Sequence, residues 1–156
     1  MRQLVYIETS IVSYLTAKPS RDLIQLAHQQ ITREWWEQHR PSFDLCISQL
    51  VLDEASKGDS RAAEMRLLAL RHISIVPVTD DAIRLAEQML ADSVFPKQAA
   101  ADALHLSIAA CHKAHILLTW NCRHLANALI MDRLRSFADT MGFEAPILCT
   151  PEELMI

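Results

Sequence analysis

Glycine is nearly absent from this 156-residue chain, which contains only Gly58 and Gly142. A phosphate-binding loop, a dinucleotide-binding fingerprint and the nucleophile elbow of serine hydrolases each need two or more closely spaced glycines. Two widely separated glycines cannot build any of these motifs. The composition therefore excludes P-loop enzymes, Rossmann dehydrogenases and typical serine hydrolases.

Long apolar runs and an excess of basic charge are also absent. No apolar stretch approaches the roughly 20 residues of a membrane-spanning helix, and no charged and then apolar leader follows Met1. We therefore expect a cytoplasmic protein without a membrane partner. The formal net charge of -4 argues against a protein that holds nucleic acid by bulk basic charge, although local basic patches or a bound metal ion could still do so.

Closely paired cysteines are missing as well, since the four cysteines lie at positions 46, 111, 122 and 149. Their apolar or helical context predicts reduced, buried thiols. Cys111 lies four residues before His115, and Cys122 lies near His124, so a zinc site is conceivable. No recognised zinc-ligand spacing is present, and buried cysteines are the better interpretation.

The sequence alternates between short apolar runs and longer segments with helical spacing. The runs predict strands at residues 4–7, 43–47, 73–78, 116–119 and 146–149. The segments between them predict helices, among them a first helix capped by Thr9 or Ser10, a long helix over 22–39 and a last helix over 124–142. This alternation predicts an α/β fold of one domain, residues 1–156, with a parallel sheet flanked by helices on both faces.

Two of the predicted helices carry further expectations. In the helix over 22–39, helical spacing predicts an inward stripe formed by Leu23, Leu26, Ala27, Ile31 and Trp35. The helix that begins near Ala99 is apolar around most of its circumference, which predicts a central position. Asp102 lies in its first turn, where its carboxylate would need a cationic partner if it is buried.

Four polar residues follow the predicted strands at equivalent places: Glu8, Glu54, Asp102 and Asn121. Glu8 comes directly after the first strand, Glu54 lies in the helix after the second, and Asn121 lies just beyond the strand over 116–119. Because the carboxyl ends of parallel strands meet at one edge of a sheet, we expect these residues to lie together. Three carboxylates and an amide oxygen form a ligand set suited to Mg²⁺ or Mn²⁺.

The four polar residues lie in four short segments, in the order Tyr-Ile-Glu-Thr-Ser (6–10), Ile-Ser-Gln-Leu-Val-Leu-Asp-Glu (47–54), Ala-Asp-Ala-Leu-His-Leu (101–106) and Leu-Leu-Thr-Trp-Asn (117–121). Taken in order, these segments resemble the motifs of the PIN domains, a family of metal-dependent ribonucleases that includes the VapC-type toxins. The resemblance implies a PIN-like α/β/α sandwich. The family usually has Asp at the first and fourth sites, where this chain has Glu8 and Asn121. Weaker metal binding is therefore expected.

The resemblance implies a function, partners and roles for individual residues. Glu8, Glu54, Asp102 and Asn121 would be the catalytic and metal-binding residues of a Mg²⁺- or Mn²⁺-dependent ribonuclease, and the outer shell would consist of Thr9, Ser10, Thr119 and His105. RNA contacts are assigned to Lys57, Lys97 and Arg123. The expected partners are RNA, an antitoxin protein and a second copy of the chain. The alternative is a catalytically weak or inactive PIN-like module that binds RNA or protein.

Histidine and tryptophan residues near these segments have two interpretations each. His105 could support the site or be a buried core histidine. Trp120 could stack on a base or pack in the core. Trp35 and Trp36 are adjacent and cannot both face the core from one side of a helix, so one of them would lie in a dimer or antitoxin groove.

Overall fold

The computed structural model describes residues 1–155, and its centre is a parallel sheet of five strands in the order β3-β2-β1-β4-β5. The strands are β1 (Leu4–Ile7), β2 (Asp44–Ser48), β3 (Ser74–Val76), β4 (Ile116–Leu118) and β5 (Ile147–Cys149). Every neighbouring pair runs parallel. The predicted strands are therefore all present, with bounds that differ by a few residues.

The middle strand β1 is buried because it is paired on both edges and covered on both faces. Val5, Tyr6 and Ile7 have no exposed surface, and Tyr6 lies opposite Cys46 of β2 and Leu117 of β4. A short, continuously apolar run is typical of such a strand in a parallel sheet. This arrangement fixes where the chain leaves the sheet at Glu8.

Within residues 1–155, seven α-helices connect the strands: α1 (Thr9–Thr16), α2 (Leu23–Glu34), α3 (Gln49–Ala55), α4 (Ser60–Leu70), α5 (Asp80–Ala91), α6 (Ala100–Cys111) and α7 (Ala128–Met141). Helix α1 packs against α2, α3 and α4, while α5 packs against α6. The predicted fold class, a parallel sheet between helical layers, is confirmed. Helix α6 is the central helix expected from the sequence, since Ala103, Leu106 and Ile108 are completely buried.

Two predicted helix starts were wrong. Glu8, and not Thr9 or Ser10, caps α1, because its carboxylate accepts a hydrogen bond from the backbone N–H of Ser10. The last helix begins at Ala128 instead of residue 124, since Asn127 caps it through the N–H groups of residues 129 and 130. Both differences arise from side-chain hydrogen bonds that helical spacing does not reveal.

The inward face of α2 also differs from the prediction. Leu23 is 81% exposed and Ala27 is exposed, whereas Gln29 and Thr32 are buried. Gln29 can be buried because its side chain pairs with backbone groups of the preceding loop, at Ser20 N–H (3.0 Å) and the Lys18 carbonyl (3.1 Å).

The α-helical part of the segment predicted over 22–39 ends at Glu34. A π-helical turn follows over Trp35–His39 and a 3₁₀ turn over Arg40–Ser42. Trp35 is completely buried, and the half-buried ring of Trp36 packs under the Arg40 guanidinium at 4.3 Å. The two tryptophans therefore differ in burial, and the expectation that one of them lies in a dimer or antitoxin groove stays a prediction.

The cysteines are free, as predicted, but two of them are not buried. Cys46 and Cys149 lie in the core, whereas Cys111 and Cys122 are exposed. Both exposed thiols lie at the ends of buried elements, Cys111 at the last position of α6 and Cys122 two residues after the buried Trp120. Within residues 1–155, no helix is both long and apolar enough to cross a membrane.

Candidate metal centre

Glu8 lies at the sheet edge where β1 and β4 end side by side. Ile7 is opposite Leu118 in the register of these strands, and the Glu8 backbone N–H donates to the Leu118 carbonyl at 3.1 Å. The next residue after β4 is Thr119. The ends of the two strands therefore bring Glu8 and Thr119 together, although they are 111 residues apart.

The Glu8 carboxylate is 7% exposed and is held by three donors. The hydroxyl groups of Ser10 and Thr119 both donate to Oε1 at 2.5 Å, and the backbone N–H of Ser10 donates to Oε2 at 3.0 Å. Hydrogen bonds to an ionised carboxylate are strong and satisfy its charge in a buried setting. The two hydroxyl groups thus hold the Glu8 carboxylate in place, and their role in the outer shell of a metal ion stays a prediction.

Glu54 is half-buried near the end of α3 and accepts two hydrogen bonds on one oxygen. Thr9 donates to Oε1 at 2.6 Å, and His105 Nε2 lies 2.7 Å from the same atom. Burial alone would raise the pKa of Glu54, but the bond and charge of His105 and the Thr9 bond outweigh it, so the pKa lies below its usual value. Among the described residues, both bonds end on Oε1, which leaves Oε2 available to a ligand outside the chain.

Asp102 faces Asn121 and His124 from the first turn of α6. Asn121 Nδ2 donates to Oδ1 at 3.0 Å, and His124 Nδ1 lies 3.2 Å from Oδ2. Burial raises the pKa of Asp102, and the negative charge of Glu8 raises it further, against a smaller opposing effect of the histidines. The negative charge of Glu8 therefore acts on Asp102 across the site.

Asn121 is fixed by hydrogen bonds on both sides of its amide. Its Oδ1 accepts from the backbone N–H groups of Arg123 (3.2 Å) and His124 (3.0 Å), while its Nδ2 faces Asp102. The structure thus brings Asn121 to the predicted edge, with its amide nitrogen towards Asp102 and its carbonyl oxygen towards the loop.

The site combines negative charge with little cationic compensation. Within residues 1–155, neither lysine nor arginine forms an ion pair with Glu8, Glu54 or Asp102. Carboxylates that face each other repel unless a cation lies between them. A hard divalent cation with oxygen ligands fits the carboxylates of Glu8 and Glu54. Among the described residues, Asp102 is not part of the group whose ligand atoms lie within 4.8 Å of one another.

His105 is close enough to join a metal cluster but is already occupied. One ligand atom each of Glu8, Glu54 and His105 can be chosen within 4.8 Å of one another. However, Nδ1 of His105 is bound to the Tyr6 hydroxyl at 2.8 Å and Nε2 to Glu54. Because both ring nitrogens are used, His105 supports Glu54 better than it would ligate a metal. His105 is also 1% exposed, so it is a buried histidine that at the same time contacts the Glu54 carboxylate.

Two residues at the site were not expected from the sequence. Tyr6 was counted only as a strand residue, yet burial raises the pKa of its hydroxyl far above the usual value and the group stays protonated as a donor. His124 was considered only for zinc, yet it contacts Asp102. A tyrosine in an otherwise aliphatic buried strand is a usable signal, since its hydroxyl needs a partner. For His124 no such signal exists, because a loop sets its position.

The remaining candidates from the sequence are three basic residues, Trp120 and the cysteines. Lys57, Lys97 and Arg123 are all exposed, and the charge of Lys57 helps to lower the pKa of Glu54. Trp120 is 8% exposed, and its ring stacks on His28 with 4.0 Å between centroids. Packing is therefore its role. No cysteine belongs to a metal-binding cluster within residues 1–155, so the zinc hypothesis has no structural support.

Comparisons with known proteins agree with this geometry. A sequence model of the PIN domain matches residues 5–126, which is most of the chain and includes all four predicted site residues. This chain belongs to the PIN domain family. A sequence search of curated proteins returns no significant match.

Three solved structures show the same PIN fold at low sequence identity. VapBC2 from Rickettsia felis, bound to a DNA fragment from its promoter, has 15% identity and a TM-score of 0.59, over 95% of this chain and 98% of that one. VapBC-1 from nontypeable Haemophilus influenzae has 13% identity and a TM-score of 0.60, over 96% and 99%. VapC20 from Mycobacterium tuberculosis, a toxin that cleaves the sarcin-ricin loop, has 17% identity and a TM-score of 0.59, over 76% and 91%.

Proposed function

We propose that this PIN domain is an endoribonuclease that depends on Mg²⁺ or Mn²⁺ and serves as the toxin of a toxin-antitoxin pair. The observation that carries the proposal is the close approach of Glu8 and Glu54, each of which offers a ligand atom within 4.8 Å of the other, beside Asp102, whose pKa is raised in part by the charge of Glu8. Family membership supports it, because PIN domains are typically nucleases.

The proposed roles follow from the contacts of each side chain. Glu8, Glu54 and Asp102 hold the ion, and a divalent ion bound there would activate water and stabilise the charge that develops on the phosphate. Thr9, Ser10 and Thr119 keep the carboxylates in place through their hydroxyl groups. We propose that Asn121 orients Asp102. It would be a metal ligand only if its side-chain amide were rotated so that Oδ1 faced the ion.

RNA would approach the site across exposed basic side chains. Lys57 lies close enough to influence Glu54 electrostatically, and Arg123 follows Asn121 directly. Lys97 begins the 3₁₀ turn that leads into α6. Contacts from such side chains to phosphate would position the RNA without reading its sequence.

The proposed protein partners are an antitoxin and a second copy of the chain. Two of the similar structures are VapBC assemblies, which supports an antitoxin. The exposed apolar residues of α2, Leu23 (81%) and Ile24 (69%), belong to the surface that a partner would cover. We also place the protein in the cytoplasm, where thiols such as the four free cysteines stay reduced.

A second candidate function is a PIN-like module that binds RNA or protein with little or no cleavage. Asn121 favours this function, because it supplies no negative charge and its side-chain oxygen already accepts hydrogen bonds from the backbone N–H groups of Arg123 and His124. Under this hypothesis the acids would hold a metal ion weakly or not at all.

A cleavage assay separates the two functions. Structured RNA is incubated with the protein in Mn²⁺, in Mg²⁺ and in EDTA, and the variant Glu54→Gln is compared with Asp53→Asn. Asp53 is an exposed acid on the same helix, so it is a matched control for the lost charge. We expect cleavage only with metal, retained in Asp53→Asn and abolished in Glu54→Gln. RNA binding without cleavage would instead favour the module.

A further inference from the structure

A chain of buried hydrogen bonds runs from β2 through β1 to α6 and ends on Glu54. Ser48 Oγ lies 2.7 Å from the Tyr6 hydroxyl oxygen, which lies 2.8 Å from His105 Nδ1. His105 Nε2 then lies 2.7 Å from Glu54 Oε1. Four side chains on four different elements are thereby connected in a single line.

Water cannot substitute for any interior member of this chain. Ser48 and Tyr6 have no exposed surface, and His105 is 1% exposed. Within residues 1–155, no buried side-chain nitrogen or oxygen lacks a hydrogen-bond partner. Because buried polar groups cannot exchange their partners with solvent, their arrangement is fixed once the fold forms.

When Glu54 is ionised and the His105 ring is neutral, only one arrangement of the hydrogens satisfies every member. The Glu54 carboxylate can only accept, so His105 Nε2 must carry the hydrogen. In the neutral ring Nδ1 is then an acceptor, and the Tyr6 hydroxyl donates to it. The Tyr6 oxygen in turn accepts from the Ser48 hydroxyl. The direction of the chain therefore runs from Ser48 to Glu54.

We propose that Tyr6 and His105 are positioning residues that hold the Glu54 carboxylate in place and turn its Oε2 towards the divalent ion, an inference that rests on the proposed function. His105 and Thr9 both donate to Oε1, so the carboxylate cannot rotate without losing two hydrogen bonds. Tyr6 contributes because its hydroxyl donates to Nδ1 and so stabilises the tautomer in which Nε2–H donates to Glu54. With the hydrogen on Nδ1 instead, the Nε2 lone pair would face the carboxylate and repel it.

The first test measures Mn²⁺ affinity by isothermal titration calorimetry at one fixed pH. Partners that orient a metal-binding side chain typically contribute 10- to 100-fold in affinity. We therefore expect Tyr6→Phe to bind Mn²⁺ about 10- to 100-fold more weakly than the wild type. The control is Ser107→Ala, which removes a completely buried hydroxyl from the helix that carries His105 but bonds only the Ala103 carbonyl of that helix. Its Mn²⁺ affinity should not change.

The outcomes that overturn the inference are distinct from those that overturn the proposed function. Unchanged Mn²⁺ affinity in a folded Tyr6→Phe, or a loss equal to that of Ser107→Ala, refutes the positioning role alone. Absence of Mn²⁺ binding to the wild type refutes the proposed function. If Tyr6→Phe does not fold by circular dichroism, Ser48→Ala takes its place, and it should weaken Mn²⁺ binding in the same direction.

The second test needs no metal. The ¹⁵N spectrum of the histidine rings reports the tautomer, and the signals of His105 are those missing from His105→Gln. We expect the Nε2–H tautomer in the wild type and a mixture of tautomers in Tyr6→Phe. An Nδ1–H tautomer in the wild type, or a spectrum that Tyr6→Phe leaves unchanged, would overturn the inference whatever the protein does to RNA.

Discussion

Asn121 donates a hydrogen bond from its side-chain amide to Asp102, with 3.0 Å between Nδ2 and Oδ1. The opposite end of the amide accepts two backbone hydrogen bonds from Arg123 and His124. An aspartate at position 121 could keep the second interaction but would turn an acceptor towards Asp102. The asparagine therefore relieves charge repulsion at the site while contributing no charge to metal binding.

The two acids Glu54 and Asp102 should affect stability in opposite directions when no metal is bound. The lowered pKa of Glu54 means that its ionised form stabilises the fold, whereas the raised pKa of Asp102 means that its ionised form destabilises it. In EDTA at pH 7 we expect Glu54→Gln to melt below the wild type and Asp102→Asn to melt at or above it. Both variants should lose metal-dependent cleavage.

Thermal melts followed by circular dichroism measure this difference, with Asp53→Asn as the control for an exposed charge. A shift in the same direction for both variants would contradict the assigned environments. Cleavage at the wild-type rate under matched metal in either variant would show that the site assignment is wrong.

The stabilising effect of Glu54 should disappear in acid. Because its pKa in the fold lies below the unfolded value of about 4.5, its contribution is complete above that pH and is lost as the pH falls through the folded value. The difference in melting temperature between the wild type and Glu54→Gln should therefore be constant from pH 7 to about pH 5 and shrink below it. A difference that grows towards low pH would contradict this sign.

The sequence was sufficient to predict the fold and the sheet edge at which Glu8 and Glu54 lie close together, whereas the role of the acids as metal ligands stays a prediction. Glu8 directly follows β1, Glu54 lies in the short helix that follows β2, and Asp102 lies in the first turn of α6. The carboxyl ends of parallel strands share one edge of a sheet, so positions near those ends are brought together whatever the loop details. The contacts of His124 could not be predicted, because they depend on how the loop after Asn121 turns. In that loop the backbone carbonyl oxygen of Asn121 accepts hydrogen bonds from the backbone N–H groups of Leu125 and Ala126, and the regular helix begins only at Ala128.

The inward face of α2 shows a different limit of sequence patterns. Leu23 and Ala27 were predicted to belong to a buried stripe, but both are exposed and the helix turns Thr32 inward. The Thr32 hydroxyl donates to the His28 carbonyl (2.6 Å) and accepts from Trp120 Nε1 (2.7 Å). Helical spacing identifies a stripe without stating whether the core or a partner covers it. Polar residues with partners can then occupy the core side.

We predict a homodimer on the basis of the exposed apolar residues. Leu23 and Ile24 of α2 are 81% and 69% exposed and Leu129 of α7 is 70% exposed, so a second copy of the chain would have apolar side chains to cover. Light scattering at micromolar concentration should give twice the chain mass of 17.7 kDa. A monomer mass over that concentration range would remove the prediction.

The variant Asn121→Asp should separate the nuclease from the binding module. It adds a negative charge beside Asp102 and removes the amide donor, so the melting temperature in EDTA should fall below that of the wild type. The added charge should also strengthen Mn²⁺ binding. A bound ion stabilises the fold by about 2.7 kcal/mol at a hundredfold excess over Kd, and the Mn²⁺-dependent rise in melting temperature should be larger in the variant than in the wild type.

Asn127→Asp is the matched control for this substitution. Asn127 caps α7, where aspartate is also a good cap, so the control adds the same charge without placing it against Asp102. It should show the wild-type rise with Mn²⁺. If neither the wild type nor Asn121→Asp responds to Mn²⁺, the acids do not form a metal site and the binding module becomes the better account, since the fold does not depend on the metal. An equal rise in all three proteins would show that position 121 does not face the ion.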